Sequence, residues 1–241
     1  MTTARRVLSG VVNGVLNEVP RDHRESDAAF RRRQRVVAGT SVLGSVVLNR
    51  TFAQRPNSRA FYLHTAAAAG TWLVGGFASG QLHLGRQQVR RELRRPVLVP
   101  AATGAAAFAG LYAAGVAAKR VPFLEGHVQR VLTFAEQGDL LPVYVTTLVN
   151  GVAEEVFFRG AVYAAVPEPH QVAVTTTAYT LATVPTKNPA LVLAAAGMGT
   201  LFALQRRASG GIQAPMITHV TWSALVLRFL PPLFGRDTPG D

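Results

Sequence analysis

Apolar residues run in long stretches along this chain, and the charged ones gather in short blocks between them. A helix that crosses the hydrocarbon core of a bilayer needs about 20 predominantly apolar residues. Measured against that length, residues 36–52, 60–84, 97–118, 140–166, 172–184, 190–204 and 212–233 are candidate membrane segments. The 97–118 stretch holds no charge, and Pro185 ends the short 172–184 stretch. The pattern predicts an all-α polytopic transmembrane bundle of about seven spans.

Residues 1–35 stand apart as a charged cytoplasmic segment. Val7, Leu8, Val11, Val12, Val15, Leu16 and Val19 recur on one helical face, with Ser9, Asn13, Asn17 and Glu18 on the other. That is the pattern of an amphipathic helix lying on a membrane. Gly10 and Gly14 weigh equally toward a mobile, partly helical tail. No signal peptide is expected, because the apolar stretch is interrupted and no small-residue cleavage site follows. Residues 21–35 are heavily charged and expected in water. The chain therefore divides into this segment, N-terminal transmembrane helices with their loops over 36–139, and a core over 140–241. There is no internal repeat. Eight arginines precede the first stretch, five lie in the 86–95 loop, and Arg206 and Arg207 fall before the last stretch. Seven spans put all three groups on one side, and the excess of Arg makes that side cytoplasmic. Three arginines in the 50–59 loop fall on the other side.

Composition sharpens this picture. Of 241 residues, 49% are apolar and 16% charged, with mean hydropathy +0.20. Such a chain is too apolar to be disordered. The net charge of +12 sits in loops between apolar stretches and forms no basic stripe interleaved with aromatics, so nucleic acid is not the expected partner. The bilayer is. There is no cysteine, which excludes disulfides, thiolate metal sites and thiol catalysis. Gly76 with Gly80, and Gly110 with Ala114, have the small-xxx-small spacing that lets helices approach closely in lipid.

The chemistry is concentrated at a few intramembrane polar residues, each costing roughly 2.5–3.5 kcal/mol to insert if charged. Glu154, Glu155 and Arg159 interrupt the 140–166 stretch. Glu155 and Arg159 are four apart and share a helical face, so they can pair. Glu154 lies about 100° round the helix and faces a different environment. A carboxylate left over in a dehydrated site suits general acid–base work, whereas the triplet could equally mark a helix end at the interface. His219 lies in the last stretch, with Ser223 one turn on and on the same face. Pro215 begins that helix after a Gly210-Gly211 break. His64 and His83 sit near the two ends of the second stretch, and His127 and His170 fall in loops. Two glutamates and a His could in principle hold a metal, but no HExxH or similar cluster is present, so a zinc site is weakly supported; no cofactor is expected and the metal requirement stays open.

The run Glu154-Glu155-Val156-Phe157-Phe158-Arg159 resembles the EExxxR motif of the CPBP (CAAX prenyl endopeptidase and bacteriocin-processing, or Abi) family of intramembrane proteases. Residues 211–219, ending in His219, resemble that family's last motif, in which Asn or Asp follows the His by four residues. The segment Tyr179-Thr180-Leu181-Ala182-Thr183 takes the place of its Phe-xxx-His motif. The likeness covers roughly residues 140–233. It implies an endopeptidase in which Glu154 acts as general base on a water, with Glu155 and Arg159 orienting the site. His219 would stabilise the oxyanion, helped by Ser223. The substrate it implies is a membrane-associated peptide or protein, with no requirement that it be prenylated. Two residues depart from the pattern: Thr183 stands where the family has His, and Ser223 where it has Asn. A threonine can bind water but cannot serve as a base near neutral pH. The alternative is therefore a catalytically retired relative acting as a membrane scaffold or binding protein. A third reading, a proton relay in a transporter, lacks the internal repeats common in that class.

Overall fold

The structure is a computed structural model that describes Val12 and residues 25–89, 92–120 and 122–234. The amphipathic pattern over residues 7–19 lies outside the described residues, apart from Val12. Among the described residues there are eight α-helices: α1 (Asp27–Phe52), α2 (Arg59–Ser79), α3 (Leu98–Ala118), α4 (Pro122–Glu136), α5 (Leu140–Glu154), α6 (Gln171–Thr183), α7 (Pro189–Ser209) and α8 (Gln213–Phe234). A π-helical segment, Glu155–Val162, continues α5 without a break. Two three-residue strands, β1 (Gln87–Val89) and β2 (Glu92–Arg94), pair as an antiparallel hairpin in the loop between α2 and α3.

The fold is helical, as the apolar pattern predicts. Among the described residues, three helices are long and apolar enough to cross a membrane: Leu98–Ala117, Leu140–Val162 and Pro189–Ser209. The sequence reading of about seven spans is thus met by three on length and composition. Helix α4 is a correction, because residues 122–136 read as loop and His127 lies within a helix. Its apolar residues are spaced around polar ones and make no continuous stretch. They nevertheless pack: Leu132 is buried against Leu230 and Phe234 near the end of α8.

Local sequence explains the helix ends. Ser26 and Ser58 cap α1 and α2 by accepting hydrogen bonds from the amides of Ala29 and Phe61, and Asn188 does the same for α7. Gly210, with φ +68°, ends α7 in the left-handed region that favours glycine. Arg206 and Arg207, expected in a loop, lie in the last turn of α7, and Arg206 is buried.

Arg33 corrects the expectation that residues 21–35 are solvated. It is fully buried and bonds the Glu25 carboxylate, the Ser79 hydroxyl (3.2 Å) and the Gln81 carbonyl (3.2 Å). A charge becomes tolerable inside a protein when it is paired and hydrogen-bonded this fully. Arg33 thereby ties the start of α1 to the end of α2.

Small residues allow the close approaches, though not all those the spacing singled out. Gly44 of α1 abuts the Trp72 ring, where a Cβ would overlap Cη2, and Gly76 faces Val156, whose Cγ1 would be 2.6 Å from a Cβ there. Gly80 is the cap of α2, and a Cβ at Gly110 would meet nothing within 4 Å. Gly211 packs against Leu84 and Gly85 backbone on backbone, so that any Cβ at 211 overlaps main-chain atoms. Hydrogen bonds hold it: Ile212 and Gln213 amides donate to the carbonyls of His83 (2.9 Å) and Leu84 (3.0 Å), and Arg86 donates to Ser209 (2.8 Å). Gly211→Ala is accordingly expected to cost about 1–3 kcal/mol, the range for overpacking. The check is a lowered midpoint of thermal unfolding, with Gly110→Ala unchanged or slightly raised.

The core gathers around the π-helical segment. Trp72 stacks on Phe157 (4.9 Å between ring centroids) and tilts against Phe158 (5.1 Å). Ala69, Ala153, Ala161, Ala182 and Ala195 fill the spaces between these rings. Helices α2, α6, α7 and α8 thus surround the segment that carries Glu154, Glu155 and Arg159.

Candidate active site

The site begins where α5 changes from α- to π-helix, between Glu154 and Glu155. Widened turns of this kind recur at functional sites. The widening frees main-chain groups that need other partners, and the Nε–H of Arg206 donates to the Arg159 carbonyl at 2.8 Å. The Arg206 guanidinium also lies 5.0 Å over the Tyr163 ring.

Glu155 and Arg159 are both fully buried. Arg159 Nη1 donates to Glu155 Oε1 at 3.1 Å, the pairing the four-residue spacing predicts. Arg159 Nη2 donates to the Gly199 carbonyl of α7 at 3.0 Å. Its guanidinium packs 4.5 Å from the centroid of Tyr179 and 5.0 Å from that of Phe202. Such contacts stabilise a desolvated cation.

His219 reaches the same carboxylate from α8. Its Nδ1 donates to Glu155 Oε1 at 3.0 Å. The ring stacks on Phe202 with centroids 4.7 Å apart, and it lies beside Gly151, where a Cβ would come within 3.3 Å. With Nδ1 held by a carboxylate, the tautomer and orientation are fixed and Nε2 is the nitrogen left for chemistry. The structure therefore brings Glu155, Arg159 and His219 into one hydrogen-bonded cluster.

Glu154 points the other way, as its 100° offset predicts. It lines a cavity of about 280 Å³ together with His219, Ser223, Trp222, Tyr179 and Thr183. The Tyr179 hydroxyl donates to Glu154 Oε2 at 2.6 Å. Ser223 is buried on the cavity wall one turn from His219. Thr183 also faces the cavity, but its hydroxyl donates back to the Thr180 carbonyl at 2.7 Å. The remaining lining is largely apolar and comes from α1, α2, α4, α5, α7 and α8. Among the described residues, no three His, Asp or Glu side chains are placed to hold a metal ion.

All six sequence-predicted site residues thus converge, Glu155 and Arg159 as a buried support and the other four on the cavity wall. Three contributors were not foreseen: Tyr179, the Gly199 carbonyl and Arg206. Only Tyr179 carried a signal, a phenol at the position where the resembling motif has phenylalanine. The other histidines play no part in this cluster. His64 and His127 each bond the carbonyl four residues back, His83 supplies the carbonyl that receives Ile212, and His170 precedes α6.

A carboxylate thus sits on a cavity wall, backed by a buried carboxylate–arginine–histidine cluster, in a bundle of which three described helices are long and apolar enough to cross a membrane. Residues 136–225 match the family model described as type II CAAX prenyl endopeptidase, Rce1-like, so this part of the chain is similar to the CPBP proteases. The matched segment starts in the last turn of α4 and ends within α8, so it contains every residue of the cluster. No curated protein and no solved structure matches the chain.

Proposed function

We propose that the protein is a membrane-embedded endopeptidase in which Glu154 activates a water against a peptide bond of a membrane-associated substrate. The observation that carries this reading is the division of labour between the two adjacent glutamates. Glu155 Oε1 takes the hydrogen bonds of both Arg159 and His219 in a fully buried setting, while Glu154 faces the cavity and, among the described residues, bonds the Tyr179 hydroxyl alone.

The chemistry closes in charge as well as in atoms. Two carboxylates face Arg159 and, when protonated, His219. Glu154 takes a proton from water as the hydroxide oxygen bonds to the scissile carbonyl carbon. The negative charge moves from Glu154 to the carbonyl oxygen, which the Ser223 hydroxyl and, in the doubly protonated ring, the Nε2–H of His219 can stabilise. Collapse of the tetrahedral intermediate breaks the C–N bond, and Glu154 returns its proton to the leaving amine. Net charge in the low-dielectric site stays constant throughout, which keeps the barrier free of new uncompensated charge.

In this reading α1, α2, α6 and α8 cross the bilayer beside the three strongly apolar spans, giving seven, with the N-terminus and the arginine-rich loops cytoplasmic. Nucleic acid is not a partner. Removing the oxyanion donor in His219→Ala is expected to lower the turnover of a membrane peptide by about 10²–10³-fold. The assay compares purified wild type, His219→Ala and Thr183→His in liposomes. Equal rates for wild type and His219→Ala would refute the assigned role.

One observation favours a second reading, that of a retired relative serving as a membrane scaffold. Thr183 ties its hydroxyl to its own helix and offers the cavity no base. Cleavage absent from wild type but gained in Thr183→His would support that reading and overturn the first.

A further inference from the structure

The phenol of Tyr179 is aimed at the carboxylate that the proposed mechanism uses as its base. Its hydroxyl donates to Glu154 Oε2 at 2.6 Å, a short bond of the kind made to a charged acceptor. Among the described residues this is the one hydrogen bond that reaches the Glu154 carboxylate from a side chain. It crosses from α6 to α5, so it fixes a group on one helix from another.

The ring itself is held on several sides. The Arg159 guanidinium lies 4.5 Å from its centroid, and Phe158 meets it edge-on at 4.9 Å and 67°. Gly199 of α7 gives it room, since a Cβ there would lie 3.0 Å from Tyr179 Cδ1. Tyr179 is 9% exposed, and the polar group nearest along its helix on the cavity wall, Thr183, is turned to its own backbone. A buried phenol that finds its partner in a carboxylate, and is itself clamped, holds that carboxylate to one rotamer.

We propose that Tyr179 is a positioning residue, which pins Glu154 by Oε2 and leaves Oε1 toward the cavity as the oxygen that takes the proton from water. The inference rests on the reading of Glu154 as the water-activating group. Arg159 serves both halves of the site, pairing with Glu155 through Nη1 and packing on the Tyr179 ring. The two glutamates are thereby held in fixed relation by one guanidinium.

The test has a readout that needs no substrate. An infrared difference spectrum of wild type minus Glu154→Gln, both in lipid nanodiscs, isolates the Glu154 carboxyl band. Tyr179→Phe removes one oxygen atom and is expected to shift that band. Site-specific 3-fluorotyrosine in place of Tyr179, a stronger donor on the same ring, is expected to shift it in the opposite sense and covers the case of a poorly folded Phe variant. On a membrane peptide cleaved by wild type, Tyr179→Phe is expected to lower kcat by roughly 10²-fold with KM unchanged, the size of effect that a misplaced reacting group produces. A band that stays put in both variants, or an unchanged kcat, would overturn the assignment. Because the band is read without substrate, absence of cleavage by wild type would count against the endopeptidase reading alone.

Discussion

Glu154→Gln is expected to lose peptide hydrolysis by about 10²–10⁴-fold, the usual contribution of a general base, while the protein stays folded. The substitution keeps the shape of the side chain. Its amide oxygen can still accept from the Tyr179 hydroxyl, which lies 2.6 Å from Oε2 in the wild type. What it removes is the capacity to take a proton from water. Glu154 is partly accessible from the cavity and makes no contact with the buried Arg159–Glu155–His219 cluster by hydrogen bond, so that cluster persists. The measurement is kcat in liposomes beside a thermal unfolding curve. Loss of turnover with an unchanged midpoint is the expected pair of results.

Arg159→Met is expected to act in the opposite manner, on the fold before the chemistry. Arg159 and Glu155 are both fully buried, and Arg159 supplies the cation for Glu155. Breaking a buried pair by removing one partner costs about 3–5 kcal/mol, because the remaining charge is stranded. The Gly199 carbonyl loses the Arg159 hydrogen bond as well, and the rings of Tyr179 and Phe202 lose the guanidinium packed on them. Methionine fills part of the volume but satisfies none of these groups. The midpoint of thermal unfolding in detergent should fall far below that of Glu154→Gln. A midpoint equal to wild type would mean that the buried cluster does not support the site.

How much of this was legible beforehand differs from residue to residue. The helices built on continuous apolar stretches were, because burial in lipid demands length and composition that a sequence displays directly. Helix α4 was not, since its alternating pattern yields no long stretch and its partners Leu230 and Phe234 are far along the chain. Arg33 read as solvated because charge normally is; its partners Ser79 and Gln81 lie on a different helix end, and only the fold brings them together. The Glu155–Arg159 pair followed from helical spacing alone. The contact of His219 with Glu155 did not, because it joins α5 to α8; it was the likeness to a known motif that placed His219 near the glutamates. Neither periodicity nor motif revealed that the helix widens after Glu154, or that Tyr179 turns its hydroxyl on that residue. Both depend on how α6 and α7 seat against the segment, which is a property of packing and has no local signature.

The most direct measurement is hydrolysis of a mixed membrane-peptide library in ¹⁸O-labelled water by wild type in liposomes, with products identified by mass spectrometry beside Glu154→Gln. The account predicts new C-termini carrying ¹⁸O from wild type and about 10²–10⁴-fold fewer from the variant in the same time. The same products formed at the same rate by Glu154→Gln, or no products from wild type, would contradict it.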